Sequence, residues 1–397
     1  MYGGEAISRL PDGRAVFVPF TLPGETARVK LIEEKRGFAR AELLEILDES
    51  PNRVPPRCIH YGVCGGCHYQ HIPYSLQLQS KEDILQDQLA RIGGFADPPL
   101  KPIVPSPQQY NYRNHVQFHL DAAGKLGYQT TRSHDIIPIK ECHLPEPALN
   151  ELWPQLDFEP LPDLDRIGLR AGADDQLMLV LQSSSDQAYH FSVDFPISAV
   201  QIGPTQVHVL SQGHTFEMEV LDQRLQLSAD AFFQVNTAMA EEMIQYLLDH
   251  LPLNSDTLLL DVFCGVGLFS LFLAPKVSRL IGIESHPGAV IDFEANLERF
   301  DNVELYEATA EQVLPQLDEQ PDIVLVDPPR AGLAKEVIDA ILQMRPSLLA
   351  YVSCDPATLA RDAKRLSRGG FTLQEITPFD LFPQTYHIES ISFWHME

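Results

Sequence analysis

The spacing of hydrophobic positions changes near residue 237. Up to that point the apolar residues fall mainly in short runs typical of β-strands, bounded by turn signals such as Pro11-Asp12-Gly13. Residues 75–92 differ, because their apolar residues recur at the spacing of a helix. Beyond residue 237, strand-like runs such as TLLLDVF, RLIGIE, DIVLVD and LLAYVSC alternate with helical stretches. This alternation predicts a mostly parallel sheet covered by helices.

The pattern divides the chain into three predicted domains. Residues 1–50 contain short strands and turns, which predict a small β-barrel. Residues 51–228 open with the Pro-rich linker SPNRVPPRC and continue as a mainly β central domain, whose helix at 75–92 we expect to pack on the domain that follows. Residues 229–397 carry the alternating pattern and predict a Rossmann-like α/β domain. The predicted fold class is therefore α/β with two smaller N-terminal domains.

Composition places the chain among soluble globular proteins. Its 397 residues are 44% hydrophobic and 21% charged, and a chain of this length exceeds one ordinary core. The most apolar long run, LLLDVFCGVGLFSLFLA, contains Asp261 and two glycines, so it indicates strand, turn and helix and not a membrane span. Six cysteines without a leader sequence favour the cytoplasm, and favour metal binding or catalysis over disulfides.

The formal net charge of −26 argues against nucleic acid as a partner, because phosphate binding requires Lys and Arg. The acidity is uneven, however. Residues 141–260 carry three arginines against nineteen Asp and Glu, whereas residues 100–140 carry five basic residues against two acidic ones. The helical stretch after Cys354 adds a second basic patch, formed by Arg361, Lys364, Arg365 and Arg368. An anionic ligand can dock on these two patches.

A glycine-bearing turn after a buried strand indicates a cofactor site. In LLLDVFCGVGLFS the strand ends at Asp261, and Gly265 and Gly267 then let the backbone approach a ligand closely. Glu284 ends the next strand, where an acidic side chain can accept both hydroxyls of a ribose. Ser270 occupies the third glycine position of a dinucleotide-binding motif. The pattern therefore disfavours NAD and favours a nucleoside cofactor without a pyrophosphate, such as S-adenosylmethionine.

Two further strand ends carry reactive side chains. Asp327 follows the run DIVLV and precedes two prolines that stop the strand. Cys354 follows the run LLAYVS and precedes an Asp-Pro turn, where a cysteine is either a buried filler or a nucleophile. Because parallel strands end at one edge of a sheet, we expect both residues to face the crevice of Asp261. Packing alone does not explain three strand ends that carry Asp261, Asp327 and Cys354. This favours the interpretation of Cys354 as a nucleophile.

A group of cysteines indicates a metal site. Cys58, Cys64 and Cys67 lie in CIHYGVCGGCHYQH with C-x5-C-x2-C spacing, and Cys142 supplies a fourth thiol. The two glycines of the C-G-G-C core let the chain wrap tightly around an ion. Four thiolates suit zinc or an iron–sulfur cluster, and the spacing does not separate these two.

With these motifs assembled, the chain resembles the bacterial RNA uracil-C5 methyltransferases, which form 5-methyluridine in ribosomal or transfer RNA. It is most similar to the iron–sulfur ribosomal RNA branch of that family. The motifs that carry the resemblance span nearly the whole chain: GRAVFVPFTLPGE, C-x5-CGGC, FFQVN, DVFCGVG, DPPRAG, SCDPATLARD and TYHIES. The resemblance implies an N-terminal TRAM barrel that binds RNA. Relatives have a further strand before the YGGE motif, so we expect this barrel to lack its first strand.

The resemblance also implies roles for individual residues. Cys354 of SCDPATLARD corresponds to the family's nucleophile, and Glu389 of TYHIES corresponds to its base. The positions that contact S-adenosylmethionine in the family are here Gln234, Phe263, Glu284 and Asp327. The positions that hold a [4Fe–4S] cluster are here Cys58, Cys64, Cys67 and Cys142. The expected partner is RNA, with ribosomal RNA first, and the expected state is a cytoplasmic monomer without membrane contact.

In the implied reaction Cys354 attacks C6 of uracil, C5 accepts the methyl group, and Glu389 removes the C5 proton. Methylation of transfer RNA is the alternative. Two hypotheses of other classes remain. An NAD-dependent oxidoreductase is disfavoured by the missing third glycine. A non-catalytic RNA-binding protein with a structural metal leaves Cys354 and Glu389 unexplained.

Overall fold

The computed structural model describes residues 3–131, 133–161, 163–190, 192 and 195–396. Its N-terminal strands are β1 (Glu5–Arg9), β2 (Ala15–Pro19), β3 (Thr26–Glu34) and β4 (Phe38–Asp48). They form a four-stranded sheet in the order β1-β2-β4-β3. Alternate residues of a strand share a face, and Val16, Val18, Ala39 and Ala41 accordingly form a small core on one side of this sheet.

The central part begins with helix α1 (Tyr74–Gln88), which continues into one π-helical turn at Leu89–Gly93. The strands that follow are β5 (His115–Leu120), β6 (Leu126–Gln129), β7 (Ile136–Pro138), β8 (Leu164–Ala171), β9 (Leu177–Ser183), β10 (Ser198–Ile202) and β11 (Val207–Ser211). They lie in the order β11-β10-β9-β8-β5-β6-β7. A short helix, α2 (Pro147–Leu152), packs on β8. The helix predicted at residues 75–92 is present as α1 and the π-helical turn that continues it.

A hairpin joins the central sheet to the C-terminal domain. Its strands β12 (Thr215–Val220) and β13 (Gln223–Ser228) pair antiparallel. Phe216 and Leu227 of the hairpin belong to the same hydrophobic core as Leu259 of the C-terminal sheet. Asp292, on a helix of the C-terminal domain, accepts hydrogen bonds from the N–H and the hydroxyl of Ser228 at 2.7 and 2.8 Å. This end of the predicted central domain thus packs on the C-terminal domain.

The rest of the chain alternates helix and strand, as the hydrophobic pattern predicts. The helices are α3 (Thr237–His250), α4 (Leu268–Leu273), α5 (Pro287–Leu297), α6 (Ala310–Val313), α7 (Lys335–Met344) and α8 (Pro356–Arg368). The strands are β14 (Leu258–Val262), β15 (Arg279–Glu284), β16 (Val303–Glu307), β17 (Ile323–Val326), β18 (Leu348–Ser353), β19 (Phe371–Phe379) and β20 (Glu389–Met396). Of the helices in the described ranges, none is long and apolar enough to cross a membrane.

The C-terminal sheet has the order β16-β15-β14-β17-β18-β20-β19. Strands β14 to β18 run parallel, and every residue of β17 and β18 is buried, as expected for strands covered by helices on both faces. The last strand reverses this direction. β20 lies antiparallel between β18 and β19, and its register pairs Ser390 with Ser353. The end of β18 and the start of β20 therefore lie side by side.

Helix α1 packs on the C-terminal domain through apolar residues and one buried ion pair. Leu85 and Leu89 are fully buried in the core of that domain. Lys81 is fully buried as well, and its Nζ donates to Asp380 Oδ1 at 2.5 Å and to the Phe382 carbonyl at 3.0 Å. Burial lowers the pKa of Lys81, and the Asp380 carboxylate opposes that effect.

The partner of α1 is the segment between β19 and β20, residues 380–388, here called the β19–β20 loop. Gln77 of α1 donates through Nε2 to Gln384 Oε1 at 3.0 Å, and the Gln384 N–H donates to Gln77 Oε1 at 2.9 Å. The N–H groups of His68 and Tyr69 both donate to the Gln384 carbonyl, at 2.8 and 3.0 Å. The central part of the chain thus holds this loop through side chains and backbone.

We expect Lys81→Met to destabilise the protein strongly, because it leaves the Asp380 carboxylate buried without its cation. Breaking a buried ion pair from one side costs about 3–5 kcal/mol of unfolding free energy. Urea denaturation followed by the fluorescence of the buried Trp394 should show a lower midpoint. The control is Lys364→Met, which removes an exposed lysine of α8 and should leave the midpoint unchanged. Equal midpoints for the two variants would contradict a stabilising role of the pair.

Candidate active site

Three parallel strands end around one crevice in the middle of the C-terminal sheet. β14 lies between β15 and β17, and the order of connection reverses there, which is where open α/β sheets bind ligands. Asp261, Glu284 and Asp327 lie at the ends of these three strands. Asp261 is close enough to interact electrostatically with each of the other two. The structure thus brings together the three acidic residues that the strand pattern predicted.

Asp261 is the most enclosed of the three. Its Oδ2 accepts a hydrogen bond from the Ser270 hydroxyl at 2.6 Å, so the serine at the third glycine position holds this carboxyl in place. Its Oδ1 is buried and has no hydrogen-bond partner within the part of the chain that the structure describes. Burial raises the pKa of Asp261 to about 7, and the Glu284 carboxylate adds to the effect.

Glu284 is fixed by backbone groups at the end of β15. Its Oε1 accepts from the N–H groups of Ser285 and His286, each at 2.7 Å, and its Oε2 accepts from the Gly265 N–H at 3.0 Å. A carboxylate offers about four acceptor positions, and these three bonds leave about one for a ligand. The same bonds also tie the glycine-bearing turn to β15. A ribose contact by Glu284 stays a prediction, and its acceptor geometry is compatible with one.

The turn after β14 is held in an uncommon conformation. Phe263 has a φ of 66°, which costs energy for a residue other than glycine, and its N–H donates to the Ile283 carbonyl at 2.9 Å. A Cβ on Gly265 would meet nothing within 4 Å, so this glycine borders open space. A Cβ on Gly267 would come within 2.4 Å of Leu297, so the start of α4 requires glycine. Strain of this kind occurs at ligand sites.

The segment that carries Gln234 is held by the central sheet. Asn114 Nδ2 donates to the Gln234 carbonyl at 2.9 Å, and the Asn114 N–H donates to the Val235 carbonyl at 3.0 Å. The buried Arg170 donates through Nη2 to the Ala231 carbonyl at 2.7 Å. Sequence reasoning missed Asn114 and Arg170, because nothing near them in the chain indicates that they bind a backbone segment of the next domain.

Cys354 and Glu389 meet through the register of β18 and β20. The last pair of the two antiparallel strands is Ser353 with Ser390, and extending this register by one position sets Cys354, the residue after β18, opposite Glu389, the first residue of β20. Glu389 is close enough to raise the pKa of Cys354. Asp355 follows and caps α8 by accepting from the N–H groups of the second and third residues after it, at 3.0 and 2.9 Å. Strand end and helix cap together fix the position of the thiol.

Charge and burial at this pair favour the neutral forms. Burial raises the pKa of Cys354 to about 12, and the carboxylates of Glu389 and Asp327 add to the effect. Burial also raises the pKa of Glu389 far above its usual value, with Asp327 adding to it, and Glu389 Oε2 has no hydrogen-bond partner among the described residues. Asp327 itself has a pKa raised to about 7 by burial and by Asp261. Strongly shifted groups this close together are typical of a catalytic site.

Arg330 is the cation of this site. It lowers the pKa of both Cys354 and Glu389, whereas the carboxylates around them raise it. Its Nη2 lies 3.4 Å from both ring nitrogens of His387, in the β19–β20 loop. Burial lowers the pKa of His387 to about 3, with Arg330 adding to the effect, so the imidazole is neutral and can accept this contact. Both residues lie inside motifs identified in the sequence, DPPRAG and TYHIES, yet neither was assigned a role.

The four predicted metal-binding cysteines lie at the edge of the central sheet. None of them forms a disulfide. Burial raises the pKa of Cys64 to about 11 and that of Cys67 to about 12, and the Cys142 thiol adds to both effects. Cys58 also raises the pKa of Cys64 and of Cys142, so each of the four thiols lies within electrostatic range of at least two others.

Their chemistry fits a thiolate-bound metal, but their arrangement is not that of a formed site. Across the described ranges, the structure contains no group of three or more His, Cys, Asp or Glu side chains placed to hold a metal ion. The [4Fe–4S] cluster at Cys58, Cys64, Cys67 and Cys142 therefore stays a prediction.

Comparison with known proteins connects this site to a family. Residues 205–396 match the family model described as tRNA (Uracil-5-)-methyltransferase, and residues 2–44 match the TRAM domain. An "uncharacterized RNA methyltransferase" of Thermosynechococcus vestitus is 35% identical, over 98% of this chain and 94% of its own. Another from Aquifex aeolicus is 35% identical, over 99% of this chain and 96% of its own.

A solved structure agrees with these relatives. The crystal structure of Pyrococcus abyssi tRNA (uracil-54, C5)-methyltransferase in complex with S-adenosyl-L-homocysteine aligns with a TM-score of 0.77 at 25% identity, over 99% of this chain and all of that one. Fold and site therefore define an α/β methyltransferase that acts on RNA. The chain belongs to the RNA uracil-C5 methyltransferase family. This confirms the enzyme class, the α/β fold with its methyltransferase domain, and the N-terminal TRAM domain that the sequence predicted.

We expect Arg330→Gln to make the Cys354 thiol less reactive. A thiol reacts through its thiolate, and removing the nearby cation raises the thiol pKa further. Alkylation by iodoacetamide at pH 9 should slow by up to about tenfold, the factor that corresponds to one pKa unit. The rate at Cys354 is measured by mass spectrometry of its peptide across a pH series. Arg365→Gln, on the exposed face of α8, is the control, and identical pH profiles for the two variants would contradict the assignment.

Proposed function

We propose that this enzyme methylates C5 of uridine in RNA with S-adenosylmethionine as methyl donor. One observation carries the proposal: the register of β18 and β20 sets Cys354 opposite Glu389, beside the end of the cofactor crevice at Asp327. Family membership supports the reaction class, and the S-adenosyl-L-homocysteine bound by the Pyrococcus abyssi enzyme supports the methyl donor. Neither an oxidoreductase nor a passive RNA-binding protein needs a thiol and a carboxyl in this arrangement.

The reaction begins with addition of Cys354 to uracil. C5 of uracil is a weak nucleophile, and attack of the Cys354 thiolate at C6 moves the electron pair of the C5–C6 double bond to form an enolate. C5 of the enolate can then accept a methyl group. Arg330 assists this step, because it is the cation that favours the thiolate at Cys354. The target base must leave its stack to reach the thiol at the strand end.

Glu389 completes the reaction as the base. Once C5 carries the methyl group, Glu389 takes the remaining C5 proton, the electron pair restores the double bond, and the C6–S bond breaks to release the Cys354 thiolate. A carboxyl with a strongly raised pKa is a strong base in its ionised form, which suits removal of a proton from carbon. Arg330 favours that ionised form of Glu389.

The strand ends of β14, β15 and β17 are the proposed cofactor site. S-adenosylmethionine supplies the methyl group when it is bound there. Glu284 accepts a ribose hydroxyl with its remaining acceptor position, and the strained turn at Phe263 leaves open space beside Gly265 for the nucleoside. Asp327 is the residue of this site that acts on Cys354, and Gln234 is assigned to the site by the motif resemblance. The neutral form of Asp327, which its raised pKa favours, can donate a hydrogen bond to the methyl donor or to the uracil edge.

Ribosomal RNA is the proposed substrate, acted on by a cytoplasmic monomer. The motif resemblance to the iron–sulfur ribosomal RNA branch supports this choice. Transfer RNA is the second candidate, because the family model and the Pyrococcus abyssi enzyme are both named for it. Labelled S-adenosylmethionine and RNA synthesised without modifications distinguish the two. We expect label in 23S ribosomal RNA, and label in transfer RNA alone would assign the enzyme to the second substrate.

We also propose that Cys58, Cys64, Cys67 and Cys142 hold a [4Fe–4S] cluster. Four part-buried thiols within electrostatic range support it, and so does the hydrogen bond from the Gly66 N–H to Cys64 Sγ at 3.4 Å, since backbone N–H groups stabilise cluster sulfurs. No step of the reaction above is an oxidation or a reduction. The cluster would therefore act by holding residues 58–71, here called the cysteine segment, to the central sheet.

We expect Glu389→Gln to trap a covalent protein–RNA adduct. Attack by Cys354 and methylation need no carboxylate, whereas release of the cysteine requires removal of the C5 proton. Turnover should fall by about 100-fold or more, and denaturing gels should show a slowly migrating adduct that carries the labelled methyl group. Cys354→Ala should show neither turnover nor adduct. The exposed Glu336→Gln is the matched control and should behave as the unchanged protein. A slow Glu389→Gln enzyme without adduct would place Glu389 at an earlier step.

We expect the protein purified without oxygen to be brown and to contain about four irons per chain. Iron and zinc are measured by plasma mass spectrometry. Cys67→Ser should lose the iron because it removes one ligand, and Cys354→Ser should keep it because that thiol lies outside the group. One zinc per chain without iron would show a structural zinc site instead of the cluster.

A further inference from the structure

A cleft of about 860 Å³ lies on the side of the β19–β20 loop that faces the N-terminal domain. We call it the interdomain cleft and define it by Phe17, Arg40, His68, Gln117, His119 and Tyr386, which line it. These residues come from the N-terminal sheet, the cysteine segment, strand β5 and the β19–β20 loop. The cleft therefore exists only where all three parts of the chain meet.

Tyr386 lines the interdomain cleft and also contacts the residues that lead to the catalytic pair. Its ring lies 4.6 Å from the His68 ring and 4.4 Å from the His387 ring. His387 in turn contacts Arg330, the cation that acts on Cys354. The wall at this point is tight, because a Cβ on Gly4 would approach both His68 and Tyr386 to 3.1 Å. A chain of contacts through Tyr386, His387 and Arg330 thus connects the cleft to the site of methyl transfer.

The lining of the cleft is aromatic and polar but carries little net charge. Among the described residues that line the cleft, the arginine is Arg40, which donates to Glu5 Oε2 at 2.7 Å and lies 3.5 Å from Glu33, so two carboxylates balance it. The alternation of β5 buries its apolar residues and turns Gln117 and His119 to the cleft. A phosphate needs unpaired positive charge, which the described part of this lining does not provide. The aromatic rings of the lining offer faces for stacking, and the Gln117 amide and the His119 imidazole offer hydrogen bonds. These groups suit a flat, neutral ring that forms hydrogen bonds at its edge.

We propose that the interdomain cleft binds one nucleobase of the RNA, next to the target uridine in the same strand. This inference rests on the proposed function and specifies the substrate further. When the target enters the catalytic site, its neighbour is unstacked from it and lies in the cleft that Tyr386 lines. Sequence-selective proteins bind single-stranded RNA by such splayed bases, held by aromatic stacking and edge hydrogen bonds. The enzyme therefore selects a uridine by the base beside it as well as by the uracil.

The test uses the whole protein and a uridine nonamer without methyl donor. In one arm, 4-thiouridine replaces each position in turn, ultraviolet light forms crosslinks, and mass spectrometry locates them. We expect crosslinks to the peptides that carry Phe17 and Gln117 alongside those that carry Cys354. Crosslinks near Cys354 with none to β2 or β5 would overturn the proposal. Crosslinking needs no methyl transfer. A failed methylation assay would therefore disprove the proposed function but leave the result of the crosslinking test unaffected.

In the second arm, fluorescence anisotropy gives the Kd of the nonamer. Loss of one stacking partner weakens binding of a base by about 5- to 150-fold, which we expect for Phe17→Ala, with a smaller loss for Gln117→Ala. Gln117 is exposed, so its variant tests the cleft even where Phe17→Ala unfolds the N-terminal sheet. The exposed Gln79→Ala of α1 is the control and should bind as the unchanged protein.

An abasic nucleotide separates base binding from backbone binding. One abasic position removes the base that would occupy the cleft. The unchanged protein and Gln117→Ala should bind that oligonucleotide with equal Kd, because the contact between the base and Gln117 is already absent. If Gln117→Ala weakens every abasic oligonucleotide to the same extent, the residue contacts the sugar–phosphate backbone and the nucleobase assignment is wrong. If Gln117→Ala binds all RNAs as tightly as the unchanged protein does, the cleft takes no part in binding.

Discussion

The antiparallel pairing of β20 with β18 is the constraint on which the rest of the site depends. It sets Cys354 opposite Glu389, residues that lie on different strands with a helix, a strand and a loop between them. A shift of one residue in this register would turn Glu389 to the other face of the sheet. Burial then raises the pKa of both groups, and Arg330 is left as the charge that opposes this effect.

The register alone does not hold the loop that leads into β20. The central domain holds this loop through the ion pair of Lys81 with Asp380 and the hydrogen bonds between Gln77 and Gln384. A second set of contacts, from Asn114 and Arg170, holds the segment that carries Gln234. Both sides of the active site are thus positioned from outside the catalytic domain, and the three parts of the chain work as one unit.

Much of the fold and part of the site could be predicted from the sequence. The alternation after residue 237 predicts the parallel sheet, and acidic residues at strand ends predict the crevice, because both follow from local periodicity. The role of Lys81 could not be predicted. A lysine in a polar helix indicates a solvated face, and its burial depends on Asp380, about 300 residues away. Arg330 was missed although its motif was identified, since only the folded chain shows which charges surround Cys354.

The order of the strands along the chain has a consequence for synthesis. Translation produces the five parallel strands β14–β18 and Cys354 before it produces β20, whose first residue is the base Glu389. A nascent or C-terminally truncated chain can present the thiol without Glu389 to complete turnover. Until β20 inserts, β18 also lacks one neighbour, and an unpaired apolar strand invites aggregation. The same strand therefore completes the catalytic pair and covers the exposed edge of the sheet.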